Sequence, residues 1–439
     1  MFRRSLLVVA LCSLAACSAD TAVTSRRADA NSTVATGLVP PPITDSDSPD
    51  ATIPAVPGVP SDGIGDSLFP SLGNPGIDVT HYDVNIAYSP TTDRVEGSVG
   101  VDLTLTSDRT AITLDSAGPI VSEVSVGGAK AEFTADDPEL RIKLPNVGHK
   151  GDRLRVKVVY ALDPHPQASV VGLNNGWFNT VGGSYVLNEP DSARTWLPCN
   201  DHPSDKADYT FTITLPRGLT GVANGDLVDH RTEDGHEVWV WHEARPMTTY
   251  LIQLFTGDYE IIKGTGPHGL PLLSVVLRTD VNAAKPSLDV TPKMIEFFEQ
   301  YFGPYPLDRY GIAVTDSYGG LAMETQERSY FSRDDLLVGG VQNMLLSHEL
   351  AHQWFGNAVS PARWRDIWLN ESFATYGQWM WLDHVGAGSV QSAADLALRS
   401  RGPGSTANPR VDDMFGNNSY DGGAVVLQAL RLEIGDAQF

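Results

Sequence analysis

Apolar and polar positions change rhythm once along the chain. Between about residues 78 and 258 they alternate: Tyr82, Val84, Ile86 and Tyr88 form one series, and Val99, Val101, Leu103 and Leu105 a second. Leu154, Val156, Val158 and Tyr160 form a third, and Tyr209, Phe211, Ile213 and Leu215 a fourth. A period of two sends every second side chain to the same face of a strand. With turn signals such as Gly127-Gly128 between runs, this predicts an antiparallel β domain with one face buried. After about Gly264 the period lengthens. Met294, Ile295, Phe297, Phe298 and Tyr301 predict a helix over 292–302, stopped by Gly303-Pro304. A mixed stretch follows at 310–315. A second helix is predicted over 341–355, ended by Gly356, with Val341, Met344, Leu345 and Phe355 sharing the face of His348 and His352. A third spans 368–385, weakened by about 1 kcal/mol at Gly377 relative to alanine. A fourth spans 421–433, with Leu427, Leu430 and Ile434 on one stripe. No internal repeat is present.

The first 72 residues follow neither rhythm. Met1-Phe2-Arg3-Arg4 is basic, and Leu6 to Leu14 is an apolar run too short to span a bilayer, the form of a secretory signal. It ends in Leu14-Ala15-Ala16-Cys17, which looks like a bacterial lipoprotein signal with Cys17 lipidated as the new N-terminus. Ordinary cleavage beside an incidental cysteine is the alternative. Lipidation would place the body on the outer face of the cytoplasmic membrane, in the periplasm or at the cell surface. Residues 18–72 are rich in Asp, Ser, Thr, Ala and Pro, and are expected to form a disordered stalk. The folded body is then expected as a β domain over 73–264 and a second domain over 265–439.

Net charge is −23 over 439 residues, which argues against a nucleic-acid partner and weakly favours cationic substrates. The cysteines are Cys12, Cys17 and Cys199, so the body holds one thiol and no internal disulfide. Cys199 reads as a partly buried structural thiol rather than a reactive one. All-cysteine metal sites are excluded.

The chemistry is concentrated in Ser347-His348-Glu349-Leu350-Ala351-His352-Gln353-Trp354-Phe355-Gly356 and Asn370-Glu371-Ser372. Histidines four apart lie on one helix face, where both can reach a single zinc ion. With eighteen residues between it and His352, Glu371 stands as a third ligand from a second helix. Two histidines and a carboxylate leave a zinc position for water, as catalytic rather than structural sites do. Glu349 is placed to take that water's proton. The bland alternative, a histidine pair satisfied by backbone carbonyls, does not account for the carboxylates at these spacings.

Around this centre the chain resembles the aminopeptidase N family of gluzincin zinc metallopeptidases, over roughly residues 73 to 439. Residues 188–207, from Asn188-Glu189-Pro190 through Arg194, Asp201 and Lys206 to Ala207, are similar to the family's long signature near the end of its β domain. Leu321-Ala322-Met323-Glu324 resembles its Gly-x-Met-Glu-Asn exopeptidase motif, and Ser419-Tyr420-Asp421 its catalytic-tyrosine segment. The resemblance implies an α+β multidomain protein: an antiparallel β-sandwich or saddle domain, then a thermolysin-like, mainly helical catalytic domain. It also implies that Glu189 and Glu324 bind the substrate's free amino group, with Ala322 and Met323 holding its backbone. Tyr420 would stabilise the oxyanion, and one zinc ion would be the cofactor. The expected activity is removal of N-terminal residues from peptides. A gluzincin endopeptidase and an inactive peptide-binding lipoprotein are the alternatives. Arg194 and Asp201 are expected to organise the β domain.

Three positions depart from the family pattern: Leu321 in place of glycine, Thr325 in place of asparagine, and Gly422 in place of lysine. Family members also continue through further helices, so an open cleft or a truncated chain is expected.

Overall fold

The computed structural model describes residues 63–136, 138–181, 183–317, 322–337 and 342–439. In the strand Ala207–Pro216 the alternation read from the sequence is realised residue by residue, with every second side chain buried. This strand sits in an eight-stranded sheet. Its order is Asp226–Glu233, His236–Met247, Ala207–Pro216, Ile77–Ser89, Arg94–Leu105, Arg153–Leu162, Ile120–Val126 and Ala129–Lys130. The sheet is not wholly antiparallel as expected. Ile77–Ser89 and Ala207–Pro216 run parallel, with Val84 opposite Phe211. The long excursion between these strands supplies the crossover that a parallel pair requires. A three-stranded sheet packs nearby, and a five-stranded one (Thr220–Ala223, Leu254–Gly257, Gly183–Leu187, Asn174–Asn179, Pro166–Ala168) delivers Glu189 just beyond one of its strands.

The C-terminal part has its own five-stranded mixed sheet. Its order is Tyr259–Thr265, Pro271–Leu277, Ile312–Thr315, Ser329–Ser332 and the edge strand Ala322–Met323. The division expected at 264/265 therefore falls inside a hairpin, because Tyr259–Thr265 pairs with Pro271–Leu277. Segment 18–72 also needs correction at its end. Phe69 and Leu72 are buried in the β core, and Asp66 Oδ2 accepts from the backbone N–H of Trp364. The apolar pair Phe69 and Leu72 gives those ten residues something to bury. Residues 18–62 lie outside the described residues.

Among the described residues six α-helices complete this part: α1 (Val281–Phe302), α2 (Arg333–Leu337), α3 (Gln342–Ala351), α4 (Trp368–His384), α5 (Val390–Ser400) and α6 (Gly423–Ile434). α1 begins eleven residues before the predicted start at 292 and encloses Pro286 and Pro292. Burial of Ala284, Ser287 and Thr291 holds the helix through two prolines that local preference would place at its start. α3 stops earlier than predicted. After Ala351 the N–H groups of Gln353 and Trp354 bond to carbonyls only three residues back, a tightened last turn that still carries His352. Gly356 follows at φ 124°, where a Cβ would crowd Asn370 Nδ2 and His352 Nδ1 at 3.3 Å.

The core face of α3 is Leu346, Leu350 and Ala351; Met344, Leu345 and Phe355 are only partly buried, so the expected shared stripe is displaced. Val341 lies outside the described residues. Gly377 is not merely a weak point in α4: a Cβ there would sit 3.0 Å from Ala351 Cβ and 3.4 Å from Phe298. Glycine lets α4 close onto α3, which brings Glu371 up to the histidines. In α6 only Leu427 of the predicted stripe is buried; Leu430 and Ile434 are exposed, because the packed face is Gly423, Ala424 and Leu427.

Candidate active site

α3 and the tightened turn that ends it present His348 and His352 one turn apart, and the first turn of α4 brings Glu371 against them. The two Nε2 atoms are 3.1 Å apart, and Glu371 Oε2 lies 3.4 Å from His348 Nε2 and 3.5 Å from His352 Nε2. Donor atoms around a tetrahedral zinc with arms of about 2.0–2.1 Å lie about 3.3–3.4 Å from each other. The side chains already have that spacing, so the donor set fits the metal. Its orientation is fixed from behind. His352 Nδ1 donates to the carbonyl of Phe355 at 3.0 Å, which leaves the Nε2 lone pair pointing at the centre. Burial holds the His348 imidazole below its usual range, in the neutral form a ligand needs.

Four carboxylates crowd this spot. One oxygen each of Glu189, Glu324 and Glu371 lie within 4.8 Å of one another, and Glu324, Glu349 and the His352 ring form a second such group. Glu324 arrives from the edge strand Ala322–Met323, and Glu189 from the β domain. Glu189 Oε1 and Glu324 Oε1 are buried with no hydrogen-bond partner among the described residues. Burial, and then the charges of Glu324 and Glu371, push Glu189 well above the carboxylate range. Burial likewise raises Glu349, with Glu324 and Glu371 adding to the effect. At His352 burial acts downward, but Glu324 and Glu371 outweigh it and push the ring up to about 10. Burial opposes ionisation of Glu371, yet His352 and the bonds from both rings pull it down to about 2. Burial and crowding thus oppose ionisation of Glu189, Glu324 and Glu349, and a dication or an ammonium group among them would favour their charged forms.

Tyr420 stands on a π-helical turn, Asn418–Gly422, with its ring stacked 5.9 Å from that of His348. Burial, followed by the charges of Glu371 and Glu189, raises its hydroxyl well above the usual tyrosine range, so it stays a donor. Ser372, next to Glu371, donates from Oγ to the carbonyl of Ser419 at 2.7 Å and fixes that turn to α4. At Gly422 a Cβ would lie 2.8 Å from Thr406 Oγ1, so the lysine of the family pattern would require Thr406 to shift.

Thr325 turns away from the cleft. Its Oγ1 donates to the carbonyl of Arg328 at 2.5 Å and accepts from Gln253 Nε2 at 2.9 Å. The departure from asparagine is thus absorbed by the contact between the β domain and the catalytic part. Leu321 and Cys17 lie outside the described residues. Arg194 and Asp201 do organise the β domain: Arg194 pairs with Asp191 at 2.7 Å, and Asp201 accepts from Arg194 N and Thr249 Oγ1. Cys199 is fully buried.

Sequence reasoning missed several supporting residues. Tyr250 of the β domain donates to the carbonyl of Gly356 and accepts from Asn370 Nδ2, bridging the end of the α3 turn to α4. Gln353 and Asn357 donate to the carbonyl of Glu324. For Gln353 and Asn357 the available signal was their position within or beside the metal motif; which partners they would find depends on the fold.

Two imidazoles and one carboxylate, with a further carboxylate beside them, define the centre of a zinc metallohydrolase. Residues 79–251 match the Peptidase M1 N-terminal domain, and residues 286–439 the Peptidase family M1 domain. The crystal structure of an M1 zinc metallopeptidase from Deinococcus radiodurans superposes with a TM-score of 0.79 at 31% identity. That match covers 86% of this chain and 87% of that one. The chain belongs to the M1 peptidase family, and zinc is its metal. Among curated relatives, the leucyl aminopeptidase of Saccharolobus solfataricus is 27% identical over 390 residues, 83% of this chain and 48% of that protein. Human endoplasmic reticulum aminopeptidase 1 is 28% identical over 393 residues, 80% and 41% of the two chains. The chain spans about half the length of these curated relatives or less.

Proposed function

We propose that the protein is a zinc aminopeptidase that removes single residues from the amino terminus of peptides. The observation that carries this is the pair of partnerless buried oxygens, Glu189 Oε1 and Glu324 Oε1, converging beside the His348–His352–Glu371 donor set. A buried carboxylate oxygen without a donor is costly, by roughly 1–3 kcal/mol or more. An α-ammonium group placed between the two carboxylates would satisfy both by charge-assisted bonds. The name of a solved relative, an M1 zinc metallopeptidase bound to a Tyr-Ser-Ala substrate, supports a peptide as the substrate class.

In this reading His348, His352 and Glu371 hold zinc, which when bound supplies Lewis acidity that activates water and polarises the scissile carbonyl. Glu349 accepts the proton of the attacking water and returns it to the departing amine. Tyr420 donates its hydroxyl to the carbonyl oxygen as that oxygen gains charge. Backbone groups of Ala322 and Met323, on the sheet edge, align the first residues of the substrate as an added strand. Glu189 and Glu324 fix the register, so that the first peptide bond and no other meets Glu349.

The test follows products over time. Removal of zinc with a chelator should abolish turnover and one equivalent should restore it, with the peptide shortening one residue at a time from its amino terminus. Internal cuts as first products would overturn the exopeptidase reading in favour of an endopeptidase. Tyr420→Phe is expected to lower kcat roughly a hundredfold with zinc content unchanged, the usual loss for one oxyanion donor.

For location, the proposal is a lipid anchor at Cys17. It is supported by the apolar run Leu6 to Leu14 followed by Leu14-Ala15-Ala16-Cys17. Among the described residues no helix is long and apolar enough to cross a membrane. Cys17→Ser in the full chain should move the protein from the membrane pellet to the soluble fraction. An unchanged distribution would reject the anchor.

A further inference from the structure

We propose that Gln353 and Asn357 are positioning residues that fix the amine-binding carboxylate of Glu324 at a set distance from the metal donors. The proposal rests on the aminopeptidase reading and assigns a further part of that same site. One peptide carbonyl, that of Glu324, accepts from two side-chain amides: Gln353 Nε2 at 3.1 Å and Asn357 Nδ2 at 2.6 Å. Both donors are fully buried. Both are also tied to His352. Gln353 is the next residue in the chain, and the Asn357 N–H bonds to the His352 carbonyl at 3.0 Å.

Each donor is itself held. Gln353 Oε1 accepts from the N–H of Glu327 at 2.9 Å, and the carbonyl of Asn357 accepts from Lys206 Nζ at 2.7 Å. Beyond Glu324 the backbone is clamped from the β domain. The Gln326 N–H bonds to the Leu251 carbonyl at 3.2 Å, and Asn224 Nδ2 donates to the Gln326 carbonyl at 3.0 Å. Gln253 Nε2 donates to the Arg328 carbonyl at 2.6 Å.

The consequence is geometric. If the end of α3 shifts, the backbone that carries Glu324 shifts with it, so the span from ammonium to metal stays matched to one amino-acid residue. Carboxylate–ammonium bonds depend on such placement, and a misplacement of about 1 Å can cost a hundredfold in rate. A purely architectural role would instead support all ligands of the site equally.

The experiment uses the full chain loaded with zinc and two near-isosteric variants, Asn357→Asp and Gln353→Glu. Each turns a donor facing the Glu324 carbonyl into an acceptor that repels it. The probes are an α-amino-acid hydroxamate and the same compound acetylated on its amine, read as inhibition constants beside zinc content. The preference for the free amine is expected to fall about tenfold or more in each variant, while the acetylated compound changes by less than about twofold. Equal weakening of both compounds, an unchanged preference, or loss of zinc from both variants would overturn the proposal. If only one variant loses zinc or fails to fold, the other decides. A parent protein with no preference for the free amine would show a different failure, that of the aminopeptidase reading itself.

Discussion

Glu349→Gln is expected to keep its zinc and lose about a thousandfold in kcat, within the range for removal of a positioned general base. The spacing of the metal donors explains why the metal stays: the short Nε2–Nε2 and Nε2–Oε2 distances involve His348, His352 and Glu371 only. Glu349 is 5% exposed and sits with Glu324 and His352. Glutamine fills the same volume but cannot accept the proton. In the metal-free protein, burial and two neighbouring carboxylates raise Glu349; the positive charges of metal and ammonium act in the opposite sense and return it to the basic form during turnover. Metal analysis and steady-state kinetics on the same preparation check this. Turnover within about tenfold of the parent, with zinc bound, would remove Glu349 from its role as the base.

Glu324→Gln should act on KM rather than on the metal. A charge-assisted bond to the substrate ammonium contributes about 2 kcal/mol, so KM for an unblocked peptide should rise roughly thirtyfold. An N-acetylated peptide should be affected little. The fold gives this variant its own control. Glu324 shares its corner with Glu189 and Glu371, and its Oε1 has no donor among the described residues. Neutralising one of three clustered carboxylates relieves repulsion, so the thermal midpoint of the metal-free protein should be no lower than that of the parent. Equal loss on blocked and unblocked peptides would mean that Glu324 does not bind the amine.

The metal centre was legible because its information is local. A four-residue spacing on a helix and a glutamate nineteen residues on are read from the chain without knowing what packs where. The alternating strands were legible for the same reason. What escaped depended on partners distant in sequence. The parallel pairing of Ile77–Ser89 with Ala207–Pro216 leaves no mark in either strand, since both alternate as an antiparallel strand would. α5 was missed because its buried face is Val390, Ala394 and Ala397, while Leu396 and Leu398 are exposed. Small buried alanines give almost no hydrophobic signal, and the Ser389 cap was the one usable cue. Prolines 286 and 292 hid the first half of α1 in the same way, since its stability comes from burial rather than propensity.

The site shows the same division. His348, His352, Glu349 and Glu371 lie in two short motifs, whereas Glu189 and Glu324 meet only because two separate sheets converge. Their roles came from resemblance to a family, not from spacing. Gln353 and Asn357 were marked only by lying within or beside the metal motif, and Tyr250 by nothing: amides and a phenol become supports only when a carbonyl from another element arrives within reach.

The central claim is that the molecule measures from the substrate's amino terminus. The most direct measurement compares kcat/KM of the zinc-loaded protein for one peptide with its terminus free and with that terminus acetylated. The account predicts at least a hundredfold preference for the free amine, roughly the loss of charge-assisted bonds to both Glu189 and Glu324. Equal hydrolysis of the two peptides would contradict it.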